Sequence, residues 1–460
     1  MTRFDLLLRG GIVATSDDVN TADVAVSDGQ IVEVSPEIMG TARELVDARG
    51  LHVLPGVVDV HVHFNEPGRA EWEGWATGTA ACAVGGTTTV AEMPLNARPP
   101  TLDGPSFDAK REAAEARSRV DFSLWGGLTP VNLERIEELA ERGVIGFKAF
   151  MSSSGIDDFP MADDATLFDG MQRAAALDLP VAVHAENDSL TATLANSAIA
   201  AGQTGARDYL ASRPAIAETE AIARAILFAE ETGCALHVVH VSTGRGVAAI
   251  AAARARGLDV TAETCAHYLV FDEDDLERLG AVAKCAPPLR PRCEVDRLWQ
   301  ALARGDIQIV ASDHSPAPAT MKSGDDFFRI WGGISGCQSL LTSLLSEGHI
   351  AREIPLPSLV SMMADSPANR FRIAGKGRVA SGYDADLVLV DSGERFTLRE
   401  HDLQYRHKHS PFVGMTFSSR PRRTILRGQT VAIDGTAVGA PRGRLVTPAM
   451  PVPVPLPATE

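Results

Sequence analysis

The central part of the chain alternates between short apolar segments and longer Ala- and Arg-rich stretches, and this alternation limits the fold more than any other feature. Eight apolar segments between residues 55 and 370 look like buried strands: VVDVHVH, TTTVAEMP, DFSLWGG, VIGFKAF, LPVAVHAE, ALHVVHVS, LDVTAETCAHYLV and IQIVASDHS. Helical stretches lie between most of them, such as ETEAIARAILFAEETG, in which we expect a helix from Thr219 to Thr232 that Gly233 ends. Eight such units predict a closed (β/α)8 (TIM) barrel. The main alternative, an open doubly wound sheet, favours a GxGxxG turn after its first strand, and this sequence has none.

The two ends of the chain have a different sequence pattern. Residues 4–54 contain short alternating segments separated by Gly, Asp and Asn turns, and the same pattern returns after residue 375. Such short strands do not form a stable sheet at either end alone, so we expect the two ends to combine. The sequence therefore predicts an α/β protein with a small β-sandwich domain (1–54 and 375–460) and a barrel domain (55–374). The Pro-rich tail from Pro448 to Pro457 closes the chain.

Charge and cysteine content exclude several classes of partner. With 43 Lys and Arg against 60 Asp and Glu, the formal net charge is -17, which argues against nucleic acid or an anionic membrane surface as partner. The six cysteines form no CxxC pair, as expected of reduced thiols. The amino terminus is too charged for a signal peptide, and no run of about 18 apolar residues occurs. We expect a cytoplasmic protein.

The segment PGVVDVHVHFNEPG, Pro55 to Gly68, carries the first chemical signal. His61 and His63 are two residues apart on a predicted strand, so their side chains point to the same side. An HxH pair alone is more often two half-buried histidines than a metal site. Further polar residues at the carboxyl ends of later strands favour the metal site, because barrel enzymes have their catalytic residues there. They are Lys148, His184, His240 and Asp313.

Each of these residues also has a purely structural interpretation. His184 and His240 could be satisfied core histidines, and Asp313 could cap a turn. Lys148 is harder to explain in that way, because GFKAF is apolar and a buried ammonium costs several kcal/mol unless it is paired or deprotonated. A neutral lysine can react with carbon dioxide to give a carbamate, which bridges two cations as a carboxylate does.

Together these side chains form a plausible ligand set for two divalent metals. His61, His63 and Asp313 would bind one ion, His184 and His240 the other, and N6-carboxylated Lys148 would bridge them. Imidazole and carboxylate ligands suit Zn, which we expect, as well as Co, Mn, Fe or Ni.

The motifs resemble those of the cyclic amidohydrolases in the amidohydrolase superfamily, which include hydantoinases, dihydropyrimidinases, dihydroorotases and allantoinases. PGVVDVHVH, GFKAF, HVVHVST, ETCAHYL and ASDHSPAP carry this resemblance over nearly the full length. HFNEPGRAEWEG, AEMPLNARPPT and FKAFMSSSGIDDFP are most similar to the allantoinase branch. Dihydroorotases place Arg two residues after HxH, whereas this chain has Asn65, which suits a substrate without a carboxylate.

The resemblance implies a function and further site residues. It implies binuclear hydrolysis of allantoin to allantoate in purine degradation, with Asp313 as the catalytic proton carrier and a homotetramer as the assembly. It also implies a set of substrate-binding residues: Asn65, Asn96, Cys285 (mainly through its backbone), Ser315, Trp331 and Gly333. For Trp331, simple core packing is an equal alternative.

Other functions remain open at this stage. Hydantoinase, dihydropyrimidinase or dihydroorotase activity is the first alternative. A mononuclear barrel deaminase shares the HxH pair and the late Asp but needs no buried lysine on the fourth strand. A metal-free scaffold of the same fold would have lost ligands, whereas this chain keeps all six.

Overall fold

Strands from both ends of the chain flank a central region in which strands and helices alternate. The structure is a computed structural model and describes residues 3–449. The strands are β1 (Arg3–Ala14), β2 (Val19–Ser27), β3 (Gln30–Ser35), β4 (Thr41–Asp47), β5 (His52–Pro55), β6 (Val57–Val62), β7 (Thr87–Glu92), β8 (Asp121–Leu124), β9 (Gly126–Gly127), β10 (Phe147–Phe150), β11 (Val181–His184), β12 (Leu236–Val238), β13 (Val260–Cys265), β14 (Ile309–Ala311), β15 (Leu387–Asp391), β16 (Phe396–Thr397), β17 (Thr416–Phe417), β18 (Arg420–Leu426), β19 (Gln429–Ile433) and β20 (Thr436–Ala437).

The α-helices follow the barrel strands in turn. They are α1 (Trp75–Val84), α2 (Gly104–Arg117), α3 (Ile136–Glu141), α4 (Asp164–Ala176), α5 (Asp188–Ala200), α6 (Ala206–Ser212), α7 (Ala215–Thr232), α8 (Gly244–Ala255), α9 (Ala266–Val270), α10 (Glu273–Leu279), α11 (Arg292–Ala303), α12 (Leu340–Ser343), α13 (Leu356–Val360) and α14 (Ser366–Arg370). Two π-helical segments, Leu344–Ile350 and Ser361–Asp365, continue α12 and α13. None of the helices among residues 3–449 is both long and apolar enough to span a bilayer.

Eight parallel strands close into the predicted barrel. One sheet runs β6-β7-β8 and another runs β9-β10-β11-β12-β13-β14. Strands β8 and β9 are two parts of the third barrel strand, which is interrupted at Trp125. The backbone N–H of Trp125 donates to the Glu92 carbonyl at 3.1 Å. The barrel closes where Val62 pairs with His314, and the His63 N–H donates to the His314 carbonyl at 2.7 Å. The first and last strands therefore meet where the predicted metal ligands lie.

Terminal strands from both ends share one nine-stranded sheet, in the order β20-β19-β18-β15-β5-β1-β2-β3, with β4 also paired to β1. Leu8, Val24, Leu387 and Ile425 lie in the apolar core of this unit and bring the two ends together. The predicted fold class, a TIM barrel with a β-sandwich domain built from both termini, is confirmed. The domain limits at residues 54 and 375 stay a prediction. After β20 the chain returns to the barrel, where Leu445 pairs with Phe122 of β8.

Two local predictions have different outcomes. The helix predicted from Thr219 to Thr232 is present as α7, and Gly233 ends it in the left-handed conformation with φ 70°. The strand prediction is wrong for the last part of LDVTAETCAHYLV, because β13 ends at Cys265 and AHYLV forms α9. A short run of buried apolar residues has no periodicity that separates strand from helix. The residues of the Pro-rich tail beyond Ala449 lie outside the described residues.

Candidate metal centre and cavity

Three of the predicted ligands converge at the junction of the first and eighth barrel strands. Asp313 Oδ1 lies 3.3 Å from His61 Nε2 and 3.4 Å from His63 Nε2, and all three residues are buried. One ligand atom from each lies within 4.8 Å of the others. The pKa of Asp313 is lowered to about 2, because His61 and His63 outweigh the opposing effect of burial. The three residues form a buried metal-binding group with an ionised carboxylate.

Hydrogen bonds on the far side of each imidazole fix its orientation. Glu263 Oε1 lies 2.7 Å from His61 Nδ1, and the Leu95 carbonyl lies 2.8 Å from His63 Nδ1. Because both partners accept hydrogen bonds, each Nδ1 carries a proton, and each Nε2 faces Asp313. A cation bound between the two Nε2 atoms and the carboxylate would take the place of the protons that otherwise pair them.

The second predicted pair, His184 and His240, lines the same cavity and adjoins His61. His184 Nδ1 and His240 Nε2 are 3.1 Å apart, and the ring centroids of His61 and His240 are 5.4 Å apart. Glu186 Oε2 lies 2.8 Å from His184 Nε2. Burial lowers the pKa of both imidazoles, and the nearby Lys148 ammonium lowers them further. Neutral imidazoles with inward-facing nitrogens are suitable cation ligands.

Lys148 lies on β10, which pairs with the strand that carries His184, and its Nζ has no hydrogen-bond partner among residues 3–449. Its side chain is fully buried on β10, and its Nζ lies 5.1 Å from the centre of the Phe150 ring. Burial lowers the pKa of Lys148 to about 8, although Glu263 and Asp313 oppose the change. An orphaned ammonium in a dry site is costly. Conversion to a carbamate that binds cations would remove this cost, so these residues fit the metal group predicted from the sequence.

Backbone strain is concentrated at the same place. His240, Asp313 and Asn65 have φ values of 41°, 43° and 66°, in the left-handed region that non-glycine residues rarely adopt. Such strain persists only where surrounding contacts hold it, and it clusters at functional sites. The ends of the first, sixth and eighth barrel strands each carry one of these residues.

A cavity of about 380 Å³ opens above the ligands and contains most of the predicted substrate residues. Asn96, Ser315, Trp331 and Gly333 line it. A side chain at Gly333 would place Cβ 2.2 Å from the Ser315 carbonyl oxygen, so this wall requires glycine. Trp331 lies edge-on against Trp72, with ring centroids 4.8 Å apart, and its buried indole N–H has no partner within the described part of the chain. Trp331 therefore belongs to the cavity wall.

Two predicted substrate residues do not line the cavity. Asn65 is fully buried behind Asn96, whose side-chain amide donates to Asn65 Oδ1 at 3.2 Å. The Cys285 carbonyl already accepts a hydrogen bond of 2.9 Å from the Tyr209 hydroxyl, and the neighbouring Ala286 lines the cavity instead. The geometry makes Asn65 a support for Asn96. Direct contact of either residue with substrate stays a prediction.

Several residues that shape the site were not predicted from the sequence. Some lie in the cavity wall: Phe150, Ser153, Ser154, Gly155, Tyr209, Arg213, Lys284 and Phe328. Arg213 forms an ion pair with Glu186, which orients His184. Lys284 donates to the Ile330 carbonyl, and burial lowers its pKa to about 8. Arg213 lies in a connection after the fifth strand without a recognisable local pattern, so only the three-dimensional structure identifies it. Two signals were available in the sequence, because Glu186 in LPVAVHAE and Glu263 in LDVTAETCAHYLV are charged residues inside predicted buried strands.

The barrel and its buried His/His/Asp group together define a metal-dependent hydrolase of the TIM-barrel type. The chain belongs to the amidohydrolase family, whose model, described as "Amidohydrolase family", matches residues 52–431. An allantoinase from Rubrobacter xylanophilus is 59% identical over 448 residues, covering 97% of this chain and 98% of that protein. An allantoinase from Solibacter usitatus is 54% identical, covering 96% and 97%. Among solved structures, the L-hydantoinase (dihydropyrimidinase) from Arthrobacter aurescens superposes with a TM-score of 0.94 at 36% identity, covering 96% of this chain and 100% of that one.

Proposed function

We propose that this chain is an allantoinase, which opens the hydantoin ring of allantoin by hydrolysis to give allantoate in purine degradation. The observation that carries the proposal is the near full-length identity of 59% to a protein named allantoinase, together with the buried His/His/Asp group in the chain itself. A cavity of about 380 Å³ suits a small ring, and its lining mixes aromatic, serine and amide side chains.

The proposed cofactor is a pair of divalent metal ions, with zinc as the expected metal. His61, His63 and Asp313 would hold one ion, His184 and His240 the other, and carboxylated Lys148 would contact both. When bound, the ions would polarise the scissile carbonyl and lower the pKa of water from about 15.7 to about 7. The observations that support the lysine carbamate are the orphaned Nζ and its lowered pKa.

Asp313 is the proposed proton carrier. Since its pKa is about 2, the carboxylate is ionised at neutral pH and can accept a proton. It would orient the attacking water and take its proton while the water oxygen bonds to the ring carbonyl carbon. It would then deliver that proton to the ring nitrogen as the C–N bond breaks. The left-handed backbone at Asp313 holds the carboxylate toward both histidines during these steps.

The cavity wall supplies groups that match both substrate and product. The Asn96 amide and the unpaired Trp331 N–H can bind the carbonyls of a neutral ureide, and Ser315 adds a small hydroxyl. Ring opening converts the neutral substrate into a carboxylate. Arg213 and Lys284 line the same cavity, so the open product gains favourable electrostatic contacts that the ring does not make.

A homotetramer is the proposed assembly, and the cytoplasm is the proposed compartment. Helix α5 offers a surface for contact between copies, because Leu190 and Leu194, four residues apart and so on one face, are 36% and 37% exposed. No charged residue occurs between Ser189 and Gly205, so two copies can meet there despite the net charge of -17 on each. All six cysteines are free, in keeping with a reducing compartment.

The direct test is to identify the product. Protein reconstituted with zinc and bicarbonate is incubated with allantoin, and the carbon NMR spectrum is followed over time. We expect the ring carbonyl signal to be replaced by the carboxylate signal of allantoate, and we expect no change with the Asp313→Asn variant. Unchanged allantoin with the wild-type protein would contradict the proposal.

A further inference from the structure

The carboxylate of Glu263 contacts both halves of the proposed metal site. Its Oε1 lies 2.7 Å from His61 Nδ1, in the His/His/Asp group. The same oxygen accepts a hydrogen bond of 3.2 Å from the backbone N–H of His240, in the second group. Glu263 is on β13, between the sixth and eighth barrel strands, and is fully buried. One side chain therefore touches a ligand residue of each proposed ion.

The other oxygen of Glu263 is held from behind. His237 Nε2 lies 3.1 Å from Glu263 Oε2, and His237 Nδ1 lies 2.8 Å from Thr261 Oγ1. Since the carboxylate accepts a hydrogen bond from Nε2, His237 Nδ1 accepts one from the threonine hydroxyl. Both oxygens of the Glu263 carboxylate are thus fixed by hydrogen bonds, Oε1 by His61 and Oε2 by His237.

These contacts affect the two groups in different ways. On the His61 side, Glu263 holds a proton on Nδ1, so Nε2, which faces Asp313, is the nitrogen that would bind a cation. On the His240 side, Glu263 binds the backbone N–H of a residue whose φ is 41°, a conformation that non-glycine residues rarely keep without support from neighbouring groups. Without the carboxylate, the proton on His61 Nδ1 would lose its acceptor, and the strained backbone at His240 would lose its hydrogen bond.

We propose that Glu263 is a positioning residue that couples the two metal subsites, an inference that rests on the two-ion site proposed above. Glu186 provides a matched comparison. It is also a buried carboxylate bonded to an imidazole, but it binds His184 and pairs with Arg213. A change at Glu263 should therefore weaken both ions, whereas a change at Glu186 should weaken mainly one.

The test measures zinc release from the intact zinc-loaded protein into excess EDTA, with a zinc-sensitive dye as readout. We expect two release phases in the wild type and about 10- to 100-fold acceleration of both phases in Glu263→Gln, the usual effect of losing a group that orients ligands. Glu186→Gln should accelerate one phase. Acceleration of a single phase, or of neither, in Glu263→Gln would overturn the coupling.

A milder variant keeps the test usable if Glu263→Gln does not fold, which circular dichroism would show. Thr261→Val removes the hydroxyl that holds His237 and should accelerate both phases by about 2- to 10-fold, as expected for one lost hydrogen bond. Unchanged release in a folded Thr261→Val protein would overturn the inference in that case. Wild-type protein that holds fewer than two zinc ions would contradict the proposed function as well, whereas two ions with unequal effects of Glu263→Gln would contradict the coupling alone.

Discussion

Replacing Lys148 with methionine should separate the stability of the protein from its activity. Lys148 is fully buried, its Nζ has no partner among the residues that the structure describes, and burial lowers its pKa from 10.5 to about 8. Each pKa unit corresponds to about 1.4 kcal/mol, so the charged form destabilises the metal-free fold by about 3 kcal/mol. Methionine fills a similar volume without a charge. We therefore expect metal-free Lys148→Met to be more stable than metal-free wild type at pH 7.

The sign of the pH dependence follows from the same values. Between about pH 8 and pH 10.5, the unfolded chain binds the Lys148 proton and the folded chain does not. The stability of metal-free wild type should therefore rise over this range relative to Lys148→Met, and the difference between them should be largest below pH 8. Urea denaturation of both proteins, stripped of metal and bicarbonate, measures this difference in the free energy of unfolding at each pH.

Lys110 offers a matched control. It is equally buried, but it forms an ion pair with Glu92, so Lys110→Met should lower stability by leaving that carboxylate unpaired. With metal and bicarbonate restored, Lys148→Met should lose more than about 10²-fold in activity, because a lost ligand costs more than a lost orienting group. A metal-free Lys148→Met protein less stable than wild type at pH 7 would refute the reasoning.

Three further predictions follow from named contacts. Asp313→Asn should lower kcat by more than about 10⁴-fold, because a metal ligand is lost together with the proton carrier, and steady-state kinetics would show a smaller effect if Asp313 acts only structurally. Lys376→Met should destabilise the protein by about 3–5 kcal/mol, because Lys376 Nζ lies 2.6 Å from Asp121 and 2.8 Å from Asp386. Thermal or urea unfolding measures the change, and a negligible change would show that these buried acids need no cation. Leu194→Glu, on the exposed face of α5, should reduce the assembly size in analytical ultracentrifugation, and an unchanged size would exclude α5 as a contact between copies.

Much of the fold could be predicted from sequence because its signals are local. The eight barrel strands were recognisable from apolar runs, and the Gly233 helix end from its conformational freedom. The convergence of His61, His63 and Asp313 followed from a rule of barrels, in which the carboxyl ends of parallel strands meet at one face. The buried AHYLV helix was missed because its apolar residues have no distinctive period.

The remainder of the site depends on contacts between distant segments. Glu263 and His61 are 202 positions apart, and nothing near either residue indicates that they are bonded. Asn65 was predicted to contact substrate because it follows the HxH pair, but its left-handed backbone and full burial place it behind Asn96. Position along a motif identifies the neighbourhood of a site, whereas the direction of each side chain depends on the packed structure.

The substrate assignment is tested most directly by ring-opening rates measured side by side on allantoin, hydantoin, dihydrouracil and dihydroorotate, with one preparation of zinc- and bicarbonate-reconstituted protein. We expect the highest kcat/KM for allantoin and the lowest for dihydroorotate, because position 65, where dihydroorotases place an Arg for the carboxylate, holds a neutral and fully buried Asn65 that cannot pair with it. A higher kcat/KM for hydantoin or dihydrouracil than for allantoin would contradict the proposed substrate and leave the metal site intact.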